Sequence, residues 1–215
     1  MTQAVGIIAD IIGSRELPDR ASAQRSILQA FQQAQAIVPT TQDAWATVGD
    51  EFQVITDTWR NALRLTLRVQ AALPEDLRLR FGIGQGQINT IGDGETGPIQ
   101  DGTAWLHARA AIEYVEHQQQ RRDEILTGFR SDEIQLTDAI NAHLLLRDHI
   151  LDRMKARERR LFAALLFGAT QQEAARDEKV SQAAVSQALH RSGAMALLEA
   201  DDVLQQRENT TKEAP

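Results

Sequence analysis

The sequence of 215 residues contains no cysteine, and only 5% of its residues are aromatic. Without cysteine the chain forms neither disulfides nor thiolate zinc sites, and it offers no thiol nucleophile. No apolar run reaches the roughly 18 residues that a membrane-spanning helix needs. The N-terminus also lacks the positive flank and small-residue cleavage site of a secretory signal. We therefore expect a cytoplasmic protein with no membrane partner, whose apolar start is a core strand.

Positive charge is also scarce, since 23 basic residues face 30 acidic ones and the net charge is -7. This balance argues against a surface coated with positive charge, but it leaves room for a local basic patch. Between Asp152 and Met195, eight basic and five acidic residues give a local charge of +3. The basic character is therefore concentrated near the C-terminus.

Apolar periodicity predicts alternating strands and helices in the first half of the chain. The predicted elements are a strand over 5–12, a helix over 19–38, a hairpin over 44–55, a helix over 58–73 and a strand over 77–83. This order is the split pattern of a ferredoxin-like antiparallel sheet with helices on one face. We expect the other face to be open for a ligand. The alternating Gly82, Gly84 and Gly86 would admit that ligand close to the backbone, or equally mark a bend.

The remaining chain is predicted to be mostly helical after a loop over 87–101 that holds at most a short hairpin. A helix over 102–117 and an added strand over 125–129 complete the first domain. The tail is polar and lacks apolar periodicity, which is typical of disorder. The expected domains are 1–130 for the sheet, 131–155 for a bridging helix, 156–204 for an all-α helix-turn-helix domain and 205–215 for a disordered tail.

Two aspartates stand at strand ends. Asp10 lies inside the apolar first strand, where an uncompensated carboxylate is costly, and Asp50 lies at the tip of the predicted hairpin. The first strand and the hairpin are neighbours in the split topology, so the two carboxylates would meet at one edge of the sheet. With the backbone carbonyl of Ile11, they predict a Mg²⁺ site that phosphates and water complete. The alternative is that both aspartates cap turns and that Arg15 or Arg109 pairs with one of them.

Four sequence blocks resemble, in order and spacing, those of the SatD family of small bacterial proteins. The blocks are Ala9-Asp10-Ile11-Ile12-Gly13-Ser14, Gly49-Asp50-Glu51-Phe52, Leu79-Arg80-Phe81-Gly82-Ile83-Gly84-Gln85-Gly86, and Asp101-Gly102 followed by Ala108-Arg109. They also look like a shortened class III nucleotidyl cyclase or GGDEF-type palm domain, whose two metal-binding aspartates match Asp10 and Asp50. The resemblance implies a nucleotidyl-cyclase-like form of the ferredoxin-like sheet. It also implies that a nucleotide contacts Gly13, Ser14, Arg15, Gly49, Glu51 and Arg109.

The sequence departs from the cyclase pattern at a group that acts with the transition-state arginine and at the group that reads the base. The position four residues before Arg109 holds Trp105 where such cyclases have Asn, and the first 120 residues contain no Lys to read adenine. Phosphoryl transfer depends on positioning and electrostatic stabilisation. A metal pair without these partners is therefore predicted to bind a nucleotide better than it turns it over, and no catalytic residue is assigned.

Residues 170–191 have the pattern of a helix-turn-helix. Thr170 and Glu173 form a capping box, and a second helix begins after Ser181 with Val185 and Leu189 on its inner face. The predicted contacts to base edges and phosphates of duplex DNA are Lys179, Ser181, Gln182, Ser186, Gln187, His190 and Arg191. The segment resembles winged or sigma-factor-like helix-turn-helix modules. The alternative is a packing or dimerisation bundle that binds no DNA.

Three functions are compatible with these patterns. A DNA-binding transcriptional regulator whose cyclase-like domain senses a nucleotide and Mg²⁺ uses both sets of residues. The alternatives are a Mg²⁺-dependent enzyme of the nucleotidyl cyclase type and a non-catalytic protein-interaction module. Because a local charge of +3 holds DNA weakly, we expect the regulator to act as a homodimer that reads two half-sites.

Overall fold

The chain folds into a mixed α+β structure with a mostly antiparallel sheet. The computed structural model describes residues 3–47, 50–94 and 97–213, with 207–213 as backbone only. The chain divides into two compact units, Met1–Asp148 and His149–Pro215. Within the described residues, none of the helices combines the length and the apolar character that a membrane crossing requires.

The first unit is built on a five-stranded sheet in the order β2-β3-β1-β4-β7. The strands of the chain are β1 (Gln3–Ile11), β2 (Gln42–Ala46), β3 (Glu51–Thr56), β4 (Leu79–Gln87), β5 (Asn89–Asp93), β6 (Pro98–Asp101) and β7 (Thr127–Arg130). Strand β1 pairs antiparallel with β3 and β4, and β2 pairs antiparallel with β3, which is the predicted split arrangement. Strand β7 joins the β4 edge in parallel, and β5 and β6 form a separate hairpin.

Four helices surround this sheet: α1 (Arg20–Gln35), α2 (Trp59–Ala72), α3 (Thr103–Gln119) and α4 (Ile134–Arg153). Side chains of Asp19 and Thr58 cap α1 and α2, which explains where each helix begins. The Phe31 ring of α1 lies 6.2 Å from the ring of Phe52 on β3 and 6.5 Å from that of Phe81 on β4. The apolar stripe of α1 therefore packs on one face of the sheet, as its periodicity predicts.

Helix α3 lies on the opposite face, directly over β4. A Cβ atom at Gly84 would stand 2.1 Å from the carbonyl oxygen of Ala104, and one at Gly82 would stand 2.2 Å from that of Ala108. The alternating glycines therefore let a helix backbone approach a strand. The expectation that this face is open to a ligand over β4 is wrong, because α3 fills the space that the missing side chains leave.

The boundary between the two units falls inside the segment expected to bridge them. Helix α4 belongs to the first unit up to Asp148. Arg147 and Asp148 explain this, because both are buried in the first unit and bond to its strand β7. Only the last five residues of α4, 149–153, belong to the second unit.

The second unit continues with α5 (Ala156–Leu166), α6 (Gln171–Asp177), α7 (Gln182–Ser192) and α8 (Ala194–Glu213). Its buried apolar residues include Leu161, Phe162, Val185, Leu189 and Leu197. The backbone of this tail is described as helical to Glu213, and the disorder predicted for 205–215 stays a prediction. The segment has no glycine or proline before Pro215, and its Gln, Arg, Glu and Lys residues have high helix propensity.

Candidate functional site

Asp10 stands at the end of β1 in a partly buried cluster of charged and polar groups. The strand register places it opposite Glu51 of β3 and Arg80 of β4. The Nη1 atom of Arg80 lies 3.0 Å from Asp10 Oδ2 and 3.3 Å from Glu116 Oε1, and its Nε donates to Gln119 at 2.9 Å. Arg80 therefore supplies part of the compensation that a carboxylate in an apolar strand requires. Sequence analysis missed this partner, because the contact joins residues 70 positions apart in the sequence.

The Asp10 carboxyl remains incompletely compensated. The pKa of Asp10 is raised from 3.8 to about 6. Burial is the largest cause of this rise, and the charges of Glu116 and Asp50 add to it, whereas Arg80 opposes it. The Oδ1 atom of Asp10 is buried and has no hydrogen-bond partner among the described residues. A divalent cation with oxygen ligands would suit such an atom. The described residues form no group of three or more His, Asp or Glu side chains able to hold a metal, so backbone, phosphate and water oxygens would have to complete the shell.

The raised pKa of Asp10 predicts a pH dependence of stability. The folded chain binds this proton more tightly than the unfolded chain, so the Asp10 contribution weakens the fold as pH rises from about 4 to about 6. Asp10→Asn removes this loss. Urea titrations at several pH values measure the free energy of unfolding of variant and wild type. We expect the stability of the variant relative to wild type to increase as pH rises over that interval. A difference that is constant with pH would contradict the assignment.

A cavity of about 300 Å³ lies beside this cluster, at the end of the sheet that α1 approaches. Its lining consists of Ile11, Ser14, Arg15, Arg20, Gln24, Asp50 and Phe52. Gly13 lies between the lining residues Ile11 and Ser14 and turns the backbone there, with a φ of 71° in the left-handed region that favours glycine. Arg20 donates from Nε to the carbonyl oxygen of Ser14 at 3.1 Å, which holds its guanidinium at the cavity. An aspartate, two arginines and a hydroxyl here can bind a cation together with an anionic group.

The predicted nucleotide contacts are divided by the structure. Ser14 and Arg15 line the cavity with Asp50 and Ile11. Arg109 is instead engaged by Glu51 on the α3 side of the sheet, with Nη2 and Oε2 2.6 Å apart. Gly49 lies outside the described residues. The lining residues Gln24 and Phe52 were missed, because only the fold brings α1 and β3 to the same cavity.

Trp105, which stands where the cyclase pattern has an asparagine, has a packing role. Its ring atoms approach within 3.0 Å of a Cβ position built on Gly6 of β1. The ring is nearly perpendicular to that of Trp45, with centroids 6.3 Å apart. The indole therefore occupies the space over the centre of β1 and holds α3 against the sheet.

Helices α6 and α7 form the second candidate site, in the second unit. The capping box of Thr170 and Glu173 is present, and Ser181 accepts a hydrogen bond from the Ala184 amide at 3.2 Å. The turn between the helices contains Lys179, a non-glycine residue with a positive φ of 55°. Val185 and Leu189 are buried, as their spacing predicts.

The outer surface of α7 is polar and mostly exposed. Gln182, Gln187 and His190 are exposed, and so are Ser181 and Lys179 before the helix, whereas Ser186 is half-buried. The exposed Ala183 lies between them and was missed in the sequence, because alanine carries no polar signal. Arg191 is exposed but not solitary, since its Nη2 lies 2.8 Å from Glu158 Oε1. The DNA-binding role of these residues stays a prediction.

Comparison with known proteins identifies the family. Curated proteins yield no match. Among solved structures, a bacterial light-regulated adenylyl cyclase is similar at a TM-score of 0.45 and 12% identity, over 60% of this chain and 75% of that chain. The guanylate cyclase domain of RhGC from Catenaria anguillulae, in complex with GTP, has a TM-score of 0.41 at 13% identity, over 52% and 72%. A regulator of polyketide synthase expression from Bifidobacterium adolescentis has a TM-score of 0.28 at 13% identity, over 96% and 81%. The sequence model of the SatD family matches residues 4–203, so this chain belongs to the SatD family.

Proposed function

We propose that this SatD-family protein is a DNA-binding regulator whose first unit binds a nucleotide together with Mg²⁺. The observation that carries the proposal is α7: a capped helix that packs on α5, α6 and α8, buries Val185 and Leu189, and presents exposed hydrogen-bonding side chains. Gln187 and His190 lie on the outward side of this helix. Such groups on an exposed helix are suited to base edges in a major groove. A homodimer would place two of these helices on two half-sites.

DNA binding is tested by selection from random duplexes, followed by fluorescence anisotropy on the enriched sequence. Gln187→Ala is expected to cost about 1 to 3 kcal/mol on that sequence and little on unrelated DNA, because it removes a base contact. Gln172→Ala, the same change at an exposed position of α6, serves as the matched control. If the folded protein enriches no sequence when nucleotide and Mg²⁺ are supplied, the proposal of DNA binding is rejected. The result then favours a protein-interaction role.

The sensing role rests on the cavity beside Asp50. Arg15 and Arg20 provide positive charge for phosphate groups, and Asp50 provides oxygen ligands for a cation. Asp10 does not line the cavity, but the charge of Asp50 raises its pKa and its Oδ1 has no hydrogen-bond partner among the described residues. We propose that Asp10 and the Ile11 carbonyl complete the cation site from the neighbouring end of β1. Mg²⁺, when bound, would neutralise phosphate charge that the two aspartates otherwise repel. The cavity volume of about 300 Å³ is at the lower end of small-molecule sites. It suits the phosphate end of a nucleotide.

Nucleotide binding is tested by thermal unfolding with a panel of nucleotides in Mg²⁺. A ligand at 100 times its dissociation constant stabilises the fold by about 2.7 kcal/mol, and Asp50→Asn is expected to abolish the Mg²⁺-dependent part of this gain. Asp93→Asn, an exposed aspartate of β5, is the control and keeps the full gain. Equal stabilisation of wild type and Asp50→Asn would exclude Asp50 as a ligand. Cyclic or dinucleotide product that disappears in Asp50→Asn would instead favour the enzyme alternative.

A further inference from the structure

A groove of about 520 Å³ runs between α5 and α7 in the second unit. Its floor is apolar and includes small side chains such as Ala184 and Ala188. Four basic side chains border it: Lys155, Arg157 and Arg160 from the start of α5, and Arg191 from the end of α7. A basic groove on a chain with a net charge of -7 is a local exception.

Two carboxylates pair with the arginines at the groove. Glu178 accepts from Nε and Nη2 of Arg160 at 2.6 and 2.9 Å, and Arg157 Nε lies 3.7 Å from the same carboxylate. Glu158 accepts from Arg191 at 2.8 Å and from the Lys155 amide at 3.0 Å. Hydrogen bonds from Arg160 and Arg191 keep the pKa of both glutamates below the ordinary value, so both stay ionised at neutral pH.

The groove nevertheless keeps an excess of positive charge at its edge. Four cations face two carboxylates, and the Arg157, Arg160 and Arg191 side chains are 61%, 55% and 70% exposed, whereas those of Glu158 and Glu178 are 7% and 19% exposed. The acids thus lie below the arginines, and the guanidiniums are presented outward. The planar guanidinium fork loses little entropy for each hydrogen bond that it donates to an anion.

We infer that the groove between α5 and α7 binds phosphate groups. Convergent arginines are the groups that proteins use for phosphate, and the small floor residues leave room for a backbone or a sugar. Two sources have this chemistry: the phosphodiester backbone of duplex DNA, and a free phosphorylated small molecule. The first rests on the proposed DNA binding, because Gln187 of α7 also lines the groove. A duplex seated on α7 would bring one strand's phosphates along these arginines.

The test compares the full-length wild type with R157Q/R160Q/R191Q, in which glutamine can still donate to the glutamates. A control with the same charge change, R121Q/R122Q/R130Q, alters exposed arginines of the first unit. One arm measures duplex binding at several salt concentrations. Three lost phosphate contacts are expected to reduce the slope of log K against log salt by about 2.7, at about 0.9 per phosphate. The other arm measures inorganic triphosphate binding by calorimetry.

Each outcome decides between the sources or overturns the inference. A reduced salt slope with unchanged triphosphate binding assigns the groove to the DNA backbone. Loss of triphosphate binding with unchanged DNA affinity assigns it to a free phosphorylated ligand. If wild type binds no DNA but the groove variant alone loses triphosphate, the phosphate groove stands and the DNA proposal fails. If the variant is folded, with a retained circular dichroism spectrum, and matches wild type and control in both arms, the inference is overturned.

Discussion

Replacing Gly84 by alanine is expected to cost about 3 kcal/mol of the free energy of unfolding. The added Cβ atom would stand 2.1 Å from the Ala104 carbonyl oxygen and 2.2 Å from the Ala108 amide nitrogen. Both are backbone atoms of α3, so no side-chain rotation relieves the clash. The helix must move away from β4, and urea titration followed by circular dichroism measures the cost.

The matched control is Gly92→Ala in the β5–β6 hairpin. A Cβ atom at Gly92 meets nothing within 4 Å, so the change is expected to lie within about 0.5 kcal/mol of wild type. Equal stabilities of the two variants would show that α3 does not lie on β4 as described. Movement of α3 would also displace Arg109 from Glu51, because Arg109 belongs to that helix.

The second large effect is expected at Asp148 of α4, the last residue of the first unit. Its carboxylate is fully buried; Oδ2 accepts from the Leu126 and Thr127 amides at 2.8 and 2.7 Å, and Oδ1 accepts from Arg147 Nε at 3.0 Å. Arg147 is 1% exposed and also donates to the hydroxyls of Thr66 and Thr127. This network fixes α4 and α2 to the start of β7.

Asp148→Ala is therefore expected to cost about 3 to 5 kcal/mol, because it leaves a buried guanidinium without its counter-charge and two amides without an acceptor. Asp138→Ala, on the exposed side of the same helix, is expected to change stability by less than about 0.5 kcal/mol. Asp148→Asn, which keeps an acceptor oxygen, should lie between them. A loss below about 1 kcal/mol in Asp148→Ala would mean that the Arg147 charge finds another partner or reaches water.

Much of the architecture was predictable because it depends on local patterns. The continuous apolar run of β1 indicates a strand buried on both faces. The Thr170 and Glu173 pair marks a helix start within four residues of sequence. Strand, helix and hairpin periods then lead to the split sheet, since few topologies satisfy that order.

The candidate sites were only partly predictable. Asp10, Asp50 and Ser14 stand out as polar groups at strand ends, where their neighbours in sequence already limit their roles. Arg80 does not stand out, because its contact with Asp10 joins residues 70 positions apart and depends on the register of β1 with β4. The cavity residue Gln24 is one polar position among several on α1. Only the packing of that helix distinguishes it.

By itself, then, the sequence determined the order of the elements, their caps and the polar residues that end β1 and begin α7. Only the tertiary structure decided that α3, and not a ligand, packs on the glycines of β4. A glycine in a strand indicates that something approaches the backbone closely, but it does not identify what approaches. The tertiary structure also decided that Glu51 and Arg109 pair away from the cavity that Asp50 lines. Adjacent strand residues point to opposite faces of a sheet, and register and helix packing, which are long-range properties, set what each face meets.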